Sequence, residues 1–394
     1  MRSSQPSSAE PYRHPGTRHI PSFDGLRGLA ILLVLFLHFT ILEPQTALEA
    51  GLVHLASLGT HGVDLFFVLS GFLVTRILLA AKGKAYFFRN FYARRALRIF
   101  PLYYTLIFLS FAVLPAFLKM FPGMQEKFSA LDANPGEWAW YVFFASNFLT
   151  VLEQRFTHDI LGVAWSLAIE EHFYLIWPWI LAALDVNKLK RLLGVVILAA
   201  LFLRTALWLD GWSPIQIYVL TFTRMDTIAF GALLALQLHE RKAVFLPAEK
   251  ARAGWGLALM LVLMAAAFGA GWFDVKSIYL NTFMYSAVGL LFYLLLKWAV
   301  TVQDSRVLQV LFTNRAMRAI GRYSYALYLL HIPVRVLVRN LWLGEAQFRD
   351  WPGTALLWQC VFYVTAFAVT YVLAWLSWNF LEKRFLNLKK HFES

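Results

Sequence analysis

The sequence predicts an all-α integral membrane protein of about ten transmembrane helices, with one additional re-entrant or interfacial element and both termini cytoplasmic. Three observations predict it. The chain is 59% hydrophobic and 15% charged over 394 residues, whereas soluble domains average roughly 45–50% and 25%. Apolar runs long enough to cross about 30 Å of hydrocarbon recur along it. Its Lys and Arg residues collect in alternate loops, as the positive-inside rule requires. The net charge of +13 would suggest nucleic acid in a soluble chain; here it is topology, and no nucleic-acid partner is expected. The single cysteine, Cys360, lies in an apolar run, which excludes a disulfide framework and a thiolate metal cluster.

Residues 1–21 are polar, rich in Ser, Pro and Arg, and lack an apolar core, so they read as a disordered cytoplasmic tail and not as a cleaved signal peptide. Candidate spans follow at 24–43, 61–81, 99–118, 164–184, 191–210, 217–238, 253–273, 278–300, 320–342 and 354–380. Segment 138–152 is shorter and carries Ser146 and Asn147 at its middle. If it does not span, one side of the membrane receives 26 of the 36 Lys and Arg residues. The opposite loops then hold only Lys119, Lys127, Arg155, Lys276, Arg339 and Arg349. Counting it as a span would split the cations nearly evenly, so it is expected to be re-entrant or interfacial. The multi-span body covers 22–381 and a basic cytoplasmic tail covers 382–394. No repeat, coiled coil or soluble C-terminal domain is visible, and any chemistry falls to the bundle.

A charge near mid-bilayer costs roughly 2.5–3.5 kcal/mol, so ionisable residues inside spans are functional candidates that face the bundle interior. In the first span Asp24, Arg27 and His38 fall within about 60° of one another at 100° per residue. In the ninth, Ser324, Tyr328, His331 and Arg335 repeat at helical spacing and are expected to face a polar cavity. In the fourth, Ser166, Glu170 and Tyr174 share a face, Glu171 adds a second carboxylate, and His172 points away from Glu170. Arg224 and Asp226 in the sixth span face different directions and need partners on other helices. The bland reading weighs against each: membrane histidines often serve as interhelical hydrogen-bond donors, Arg224 and Asp226 read as structural ion-pair members, and Asp24 with Arg27 suits an i, i+3 pair. Seven cations and no acid between Arg76 and Arg98 exceed what topology needs. Arg94, Arg95 and Arg98, placed where a helix begins, could grip phosphates of a lipid headgroup or of a cytoplasmic substrate.

At these residues the chain resembles the membrane-bound acyltransferase family 3, which O-acylates sugars of surface polysaccharides, nodulation factors and macrolides. The resemblance runs in order through Phe23-Asp-Gly-Leu-Arg-Gly-Leu-Ala30 with His38, Gly62-Val-Asp64-Leu-Phe-Phe-Val-Leu-Ser-Gly-Phe72, Arg95-Ala-Leu-Arg98, Trp165-Ser-Leu-Ala-Ile-Glu-Glu-His-Phe-Tyr174, Arg224-Met-Asp226 with Gly231, and Ser324-Tyr-Ala-Leu-Tyr-Leu-Leu-His-Ile-Pro333. It implies acyl-CoA, with acetyl the expected acyl group, as a co-substrate bound from the cytoplasm. It also implies that His38 matches the essential histidine, Arg95 and Arg98 the Arg-x-x-Arg motif, and Ser166 and Glu170 the Ser-x-x-x-Glu motif. Two departures stand out: Glu382-Lys383 is followed by Arg384 where the family often has proline, and the hydrolase-like C-terminal domain of some members is absent from this sequence. The latter implies direct transfer by the bundle, with a separate partner protein left open.

Acyl transfer from a thioester to a hydroxyl needs a base, a donor anchor and stabilisation of an oxyanion. The expected assignment makes His38 the base, has Glu170 orient an imidazole or join the relay, and gives the CoA phosphates to Arg95, Arg98 and Arg94. The remaining candidates, Asp24, Arg27, Asp64, Ser166, Glu171, Tyr174, Arg224, Asp226, Ser324, Tyr328, His331 and Arg335, support the site or face the acceptor, a carbohydrate or glycolipid. No metal is expected. The expected location is a bacterial inner membrane. The rival class is a secondary transporter or flippase, whose helices also carry lone ionisable residues.

Overall fold

A computed structural model describes residues 20–124, 134–241, 245–342 and 355–392. The expected N-terminal tail as far as His19, together with Lys127 and Arg349, lies outside the described residues. Among the described residues every regular element is helical. In chain order they include α1 (Pro21–Phe39), α2 (Ala47–Ser57), α3 (Gly62–Ala81), α4 (Phe87–Phe108), α5 (Leu114–Met120), α6 (Trp138–Val142), α7 (Ser146–Glu153), α8 (Ala164–Ala183) and α9 (Val186–Leu209). After these come α10 (Pro214–Val219), α11 (Thr221–His239), α12 (Pro247–Gly269), α13 (Tyr285–Thr301), α14 (Arg315–Arg322), α15 (Ser324–Leu341), α16 (Ala355–Ser377) and α17 (Lys383–Asn387).

Each expected span overlaps helical structure, although 217–238 is broken at Leu220 between α10 and α11 and 320–342 at Tyr323 between α14 and α15. Among the described residues seven helices are long and apolar enough to cross a membrane by length and composition: Pro21–Phe39, Ala47–Ala81, Phe87–Met120, Val186–Leu209, Pro247–Gly269, Leu280–Thr301 and Ala355–Phe392. The three expected spans outside that group are α8, α11 and α15. They carry Glu170, Glu171 and His172, then Arg224 and Asp226, then His331 and Arg335. The polar groups that mark a site are the same groups that dilute apolarity.

Local sequence explains the main boundaries. Proline at the first position of α1 loses no helical hydrogen bond there, and Thr40 in extended backbone ends the helix. Thr46 and Glu49 form a reciprocal cap on α2. The 138–152 segment is broken: α6 has 5 residues, α7 has 8, and Phe144 between them adopts a left-handed backbone with φ 53°. At 1.5 Å per residue they rise only about 8 and 12 Å, too little for either to span.

Two expectations change. Helix α4 starts at Phe87, so Arg94, Arg95 and Arg98 sit well inside a helix and not at its beginning. Nothing between Tyr86 and Pro101 breaks a helix, and arginine favours one. The stretch after residue 381 is also helical: a π turn at Trp378–Glu382 leads into α17 and a 3₁₀ turn, Leu388–Phe392, that packs on α4. There Arg89 lies 5.9 Å over the Phe392 ring.

Helices α3 and α11 cross at backbone contact. A Cβ on Gly231 would fall 1.9 Å from the Val68 carbonyl oxygen, and one on Gly71 would fall 2.0 Å from that of Ile228. Only glycine permits this approach, and it brings Asp64 of α3 against Arg224 of α11.

Candidate active site

Helices α1, α15 and α8 bring a line of polar side chains together. His38 near the end of α1 meets His331 of α15, with His331 Nε2 3.1 Å from His38 Nδ1. His331 is fully buried, and His38 is only partly so. His331 Nδ1 donates to the Tyr328 backbone oxygen at 2.6 Å, and His38 Nδ1 lies 3.1 Å from the Val34 carbonyl oxygen. The Tyr328 hydroxyl is 2.5 Å from Ser166 Oγ, and each hydroxyl also lies 3.1 Å from the Val163 carbonyl oxygen. The expected polar face of α15 therefore meets polar partners on α1 and α8. Ser324 is buried on the same face, and Arg335 is half-buried one turn beyond His331.

The end of α1 that carries His38 is held by a residue the motif reading missed. Gln359 of α16, fully buried, donates to the Phe39 oxygen at 2.8 Å and accepts from the amides of Ile41 and Leu42 at 3.0 and 3.1 Å. A lone amide in a span is a readable signal, since a polar group there needs a partner. Thr40 adds a 2.6 Å contact to Tyr363.

Toward the cation-rich end, Glu170 accepts from Ser70 at 2.8 Å and from Tyr174 at 2.9 Å. Among the described residues neither His38 nor His331 bonds it, so the expected orientation of an imidazole by Glu170 is not seen; Glu170 sits one helical turn past Ser166. Ser70 went unselected although it lies within the Gly62–Phe72 motif. The Arg95 guanidinium stacks over the Tyr174 ring at 5.0 Å. Arg27, paired to Asp24 at 3.7 Å, lies within electrostatic reach of Arg95 and Arg98. Lys389 of the C-terminal turn is also within reach of these arginines, and Glu382 is near Arg98. Arg94 is exposed, on a different face from Arg95. Cations outnumber carboxylates here, an arrangement that suits an anionic group. Lys82 serves another purpose: its ammonium donates to the Leu181 and Leu184 carbonyls at 2.7 and 2.8 Å and caps the end of α8.

Other candidates are structural in their contacts. Arg224 and Asp64 form a fully buried pair, and His61 Nδ1 adds a 2.9 Å contact to Asp64. Asp226 pairs with Arg204, equally buried, at 2.8 Å and accepts from Ser286 at 2.6 Å. Arg204 was not selected from the sequence although it is the lone charge in the interior of the span 191–210, between Arg191 and Asp210 at its ends. His172 bonds Thr221 at 2.9 Å and stacks on Phe148, away from Glu170 as its helical position requires. Glu171 has a buried carboxylate oxygen without a hydrogen-bond partner. A groove of about 550 Å³ on α4, lined by Ala96, Phe100, Tyr104, Phe108 and Phe385 among others, contains none of the candidate residues. Among the described residues no three His, Cys, Asp or Glu side chains converge as metal ligands would.

The family described as an acyltransferase domain matches residues 20–375. The provisionally named peptidoglycan O-acetyltransferase YrhL of Bacillus subtilis is 30% identical over 391 residues, covering 93% of this chain and 55% of that protein. Peptidoglycan O-acetyltransferase OatA of Listeria monocytogenes is 30% identical over 390 residues, with the same coverage of 93% and 55%. O-acetyltransferase OatA of Staphylococcus aureus is 26% identical over 385 residues, covering 93% and 57%. The chain thus spans little more than half the length of these relatives. No solved structure matches it. With a domain match over nearly its whole length, on the helices that carry the paired histidines and the arginine cluster, the chain belongs to the acyltransferase family.

Proposed function

We propose that this chain moves an acyl group, acetyl by expectation, from cytoplasmic acyl-CoA to a hydroxyl of a carbohydrate acceptor, with His38 as the general base. The observation that carries the reading is the layout of α1. Its polar face presents Arg27 to the Arg95–Arg98 cluster and, 11 residues on, His38 to His331. That separation is about 16 Å along the helix, a distance an extended phosphopantetheine arm bridges. Arg95, Arg98 and Arg27 hold the CoA phosphates at the cation-rich end, Glu170 with Tyr174 fixes the Arg95 side of that site, and the thioester reaches His38. The names of the relatives support an acetyl donor and a peptidoglycan-type acceptor, and their bacterial sources support a bacterial membrane; the inner membrane is the expectation from the sequence.

In the reaction His38 removes the proton from the acceptor hydroxyl as its oxygen attacks the thioester carbon. The C–O bond forms, the C–S bond breaks, and the proton taken by His38 passes to the departing thiolate. Partial exposure of His38 gives an acceptor access, while burial of His331 keeps water from the far side of the pair.

A transfer assay with labelled acetyl-CoA and a soluble glycan, on protein in lipid nanodiscs, tests the proposal. His38→Ala is expected to lose roughly 10²–10⁴-fold in turnover, the usual value of a general base, while still binding donor. Turnover near wild type would remove His38 from its role. Transfer from some other acyl donor, with none from acetyl-CoA, would refute the donor assignment.

A further inference from the structure

The two imidazoles carry more information than their proximity. Backbone carbonyl oxygens only accept hydrogen bonds. His331 Nδ1, 2.6 Å from the Tyr328 oxygen, therefore bears that ring's proton. In the neutral ring Nε2 is then a lone-pair acceptor, and it faces His38 Nδ1 at 3.1 Å. The same logic applies independently to His38, whose Nδ1 lies 3.1 Å from the Val34 carbonyl oxygen. Both contacts require the proton on Nδ1 of His38. The opposite tautomer would turn the His38 Nδ1 lone pair against an acceptor on each side.

Resting on the reading of His38 as base, we propose that His331 is the positioning residue that sets the His38 tautomer, making Nε2 the nitrogen that accepts the proton. Among the described residues Nε2 has no hydrogen-bond partner, and His38 is the more exposed of the two rings. His331 is suited to this because it is fully buried and its Nδ1 is anchored on the Tyr328 oxygen. Its ring packs against Phe39 at 6.3 Å and Tyr328 at 5.7 Å between centroids. When His38 takes a proton on Nε2, its Nδ1–H remains bonded to the His331 lone pair, which also steadies the cation. The proton on Nε2 leaves to the thiolate, and His331 needs no net change. A carboxylate commonly fills this place behind a catalytic imidazole. Here a neutral imidazole does, which avoids a buried anion between helices.

The closing experiment combines kinetics with nitrogen-15 spectra of histidine-labelled, full-length protein in nanodiscs. In the wild type, His38 Nδ1 should show the chemical shift of a protonated ring nitrogen and Nε2 that of a lone-pair nitrogen. The reverse assignment would overturn the proposal without any variant. His331→Met, similar in size and lacking the acceptor, should lower kcat on the order of 10²-fold with the donor KM within about twofold, and should mix the His38 tautomers. His331→Gln, whose Oε1 falls near the position of Nε2 and can accept the same bond, should restore kcat to within about tenfold of wild type. A His331→Met enzyme with unchanged kcat and an unchanged tautomer, alongside inactive His38→Ala, would overturn this inference and leave the base in place. Active His38→Ala would instead refute the reading on which it rests.

Discussion

Replacing Arg204 by methionine is expected to destabilise the protein far more than replacing Arg204 and Asp226 together. The guanidinium donates to the Thr282 oxygen at 2.7 Å, to Asp226 at 2.8 Å, and to the Thr223 oxygen and Ser286 hydroxyl, with both members of the ion pair fully buried. In Arg204→Met the Asp226 carboxylate keeps Ser286 at 2.6 Å and the Thr227 amide and hydroxyl at 2.9 and 3.4 Å, but it loses its ion-pair partner. Leaving one partner of a buried pair alone costs roughly 3–5 kcal/mol. At about 1.4 kcal/mol per decade, the folded-to-unfolded ratio should fall by two to three and a half orders of magnitude. Arg204→Met with Asp226→Leu removes both charges and should recover at least half of that loss, since apolar replacement of a whole pair is often close to neutral. The assay is the folded fraction during titration with a denaturing detergent, read by tryptophan fluorescence in mixed micelles. A double variant as unstable as the single one, or a single variant within about 0.5 kcal/mol of wild type, would refute the argument that the pair is held by mutual charge compensation.

Three further outcomes are expected. In a background with Cys360 replaced by serine, a cysteine at Lys188 should be shielded from an impermeant thiol reagent in intact cells and ones at Leu48 and Lys276 should react. Leu48 is chosen because its neighbour Glu49 is buried in the α2 cap, and labelling at Lys188 but not at Lys276 would overturn the assumed orientation. Arg95→Ala and Arg98→Ala should each raise the acetyl-CoA dissociation constant about tenfold or more, as loss of a charge-assisted contact of roughly 1.5–3 kcal/mol implies. Lys188→Ala is the control, since Lys82 caps α8, and isothermal titration that shows equal small effects at all three positions would reduce the cluster to a topology signal. Gly231→Leu should destabilise by about 3 kcal/mol or more because its Cβ meets the Val68 backbone at 1.9 Å; an unchanged melting temperature would show that α3 and α11 can separate without cost.

Much of this was legible in the residues themselves. Composition and cation distribution describe a helical membrane bundle because hydrocarbon admits few alternatives for a backbone that must satisfy its own hydrogen bonds. Periodicity placed Asp24, Arg27 and His38 on one face and Tyr328, His331 and Arg335 on another, since 3.6 residues per turn is a local property. The same geometry turned His172 away from Glu170, and it required Arg224 and Asp226 to seek partners on other helices. The position of the α4 start was less readable, because the cations that orient a membrane loop are equally at home in a helix.

Pairing between helices was decided only by tertiary structure. Nothing local says that His38 faces His331 across 293 positions of chain, that Glu170 takes Ser70 and Tyr174 in place of an imidazole, or that Gln359 holds the end of α1. A helix face states which residues look inward; the rotation and depth at which two helices meet state what they find there. Those are set by backbone contacts such as Gly71 with Ile228 and Gly231 with Val68, where the absence of a Cβ fixes one crossing among many. The sequence determined which groups had to be buried in the bundle, because the solvent imposes that residue by residue. Packing decided which of them share a proton, because a hydrogen bond is made only where two chains of contacts, built independently, end within 3 Å or so of each other.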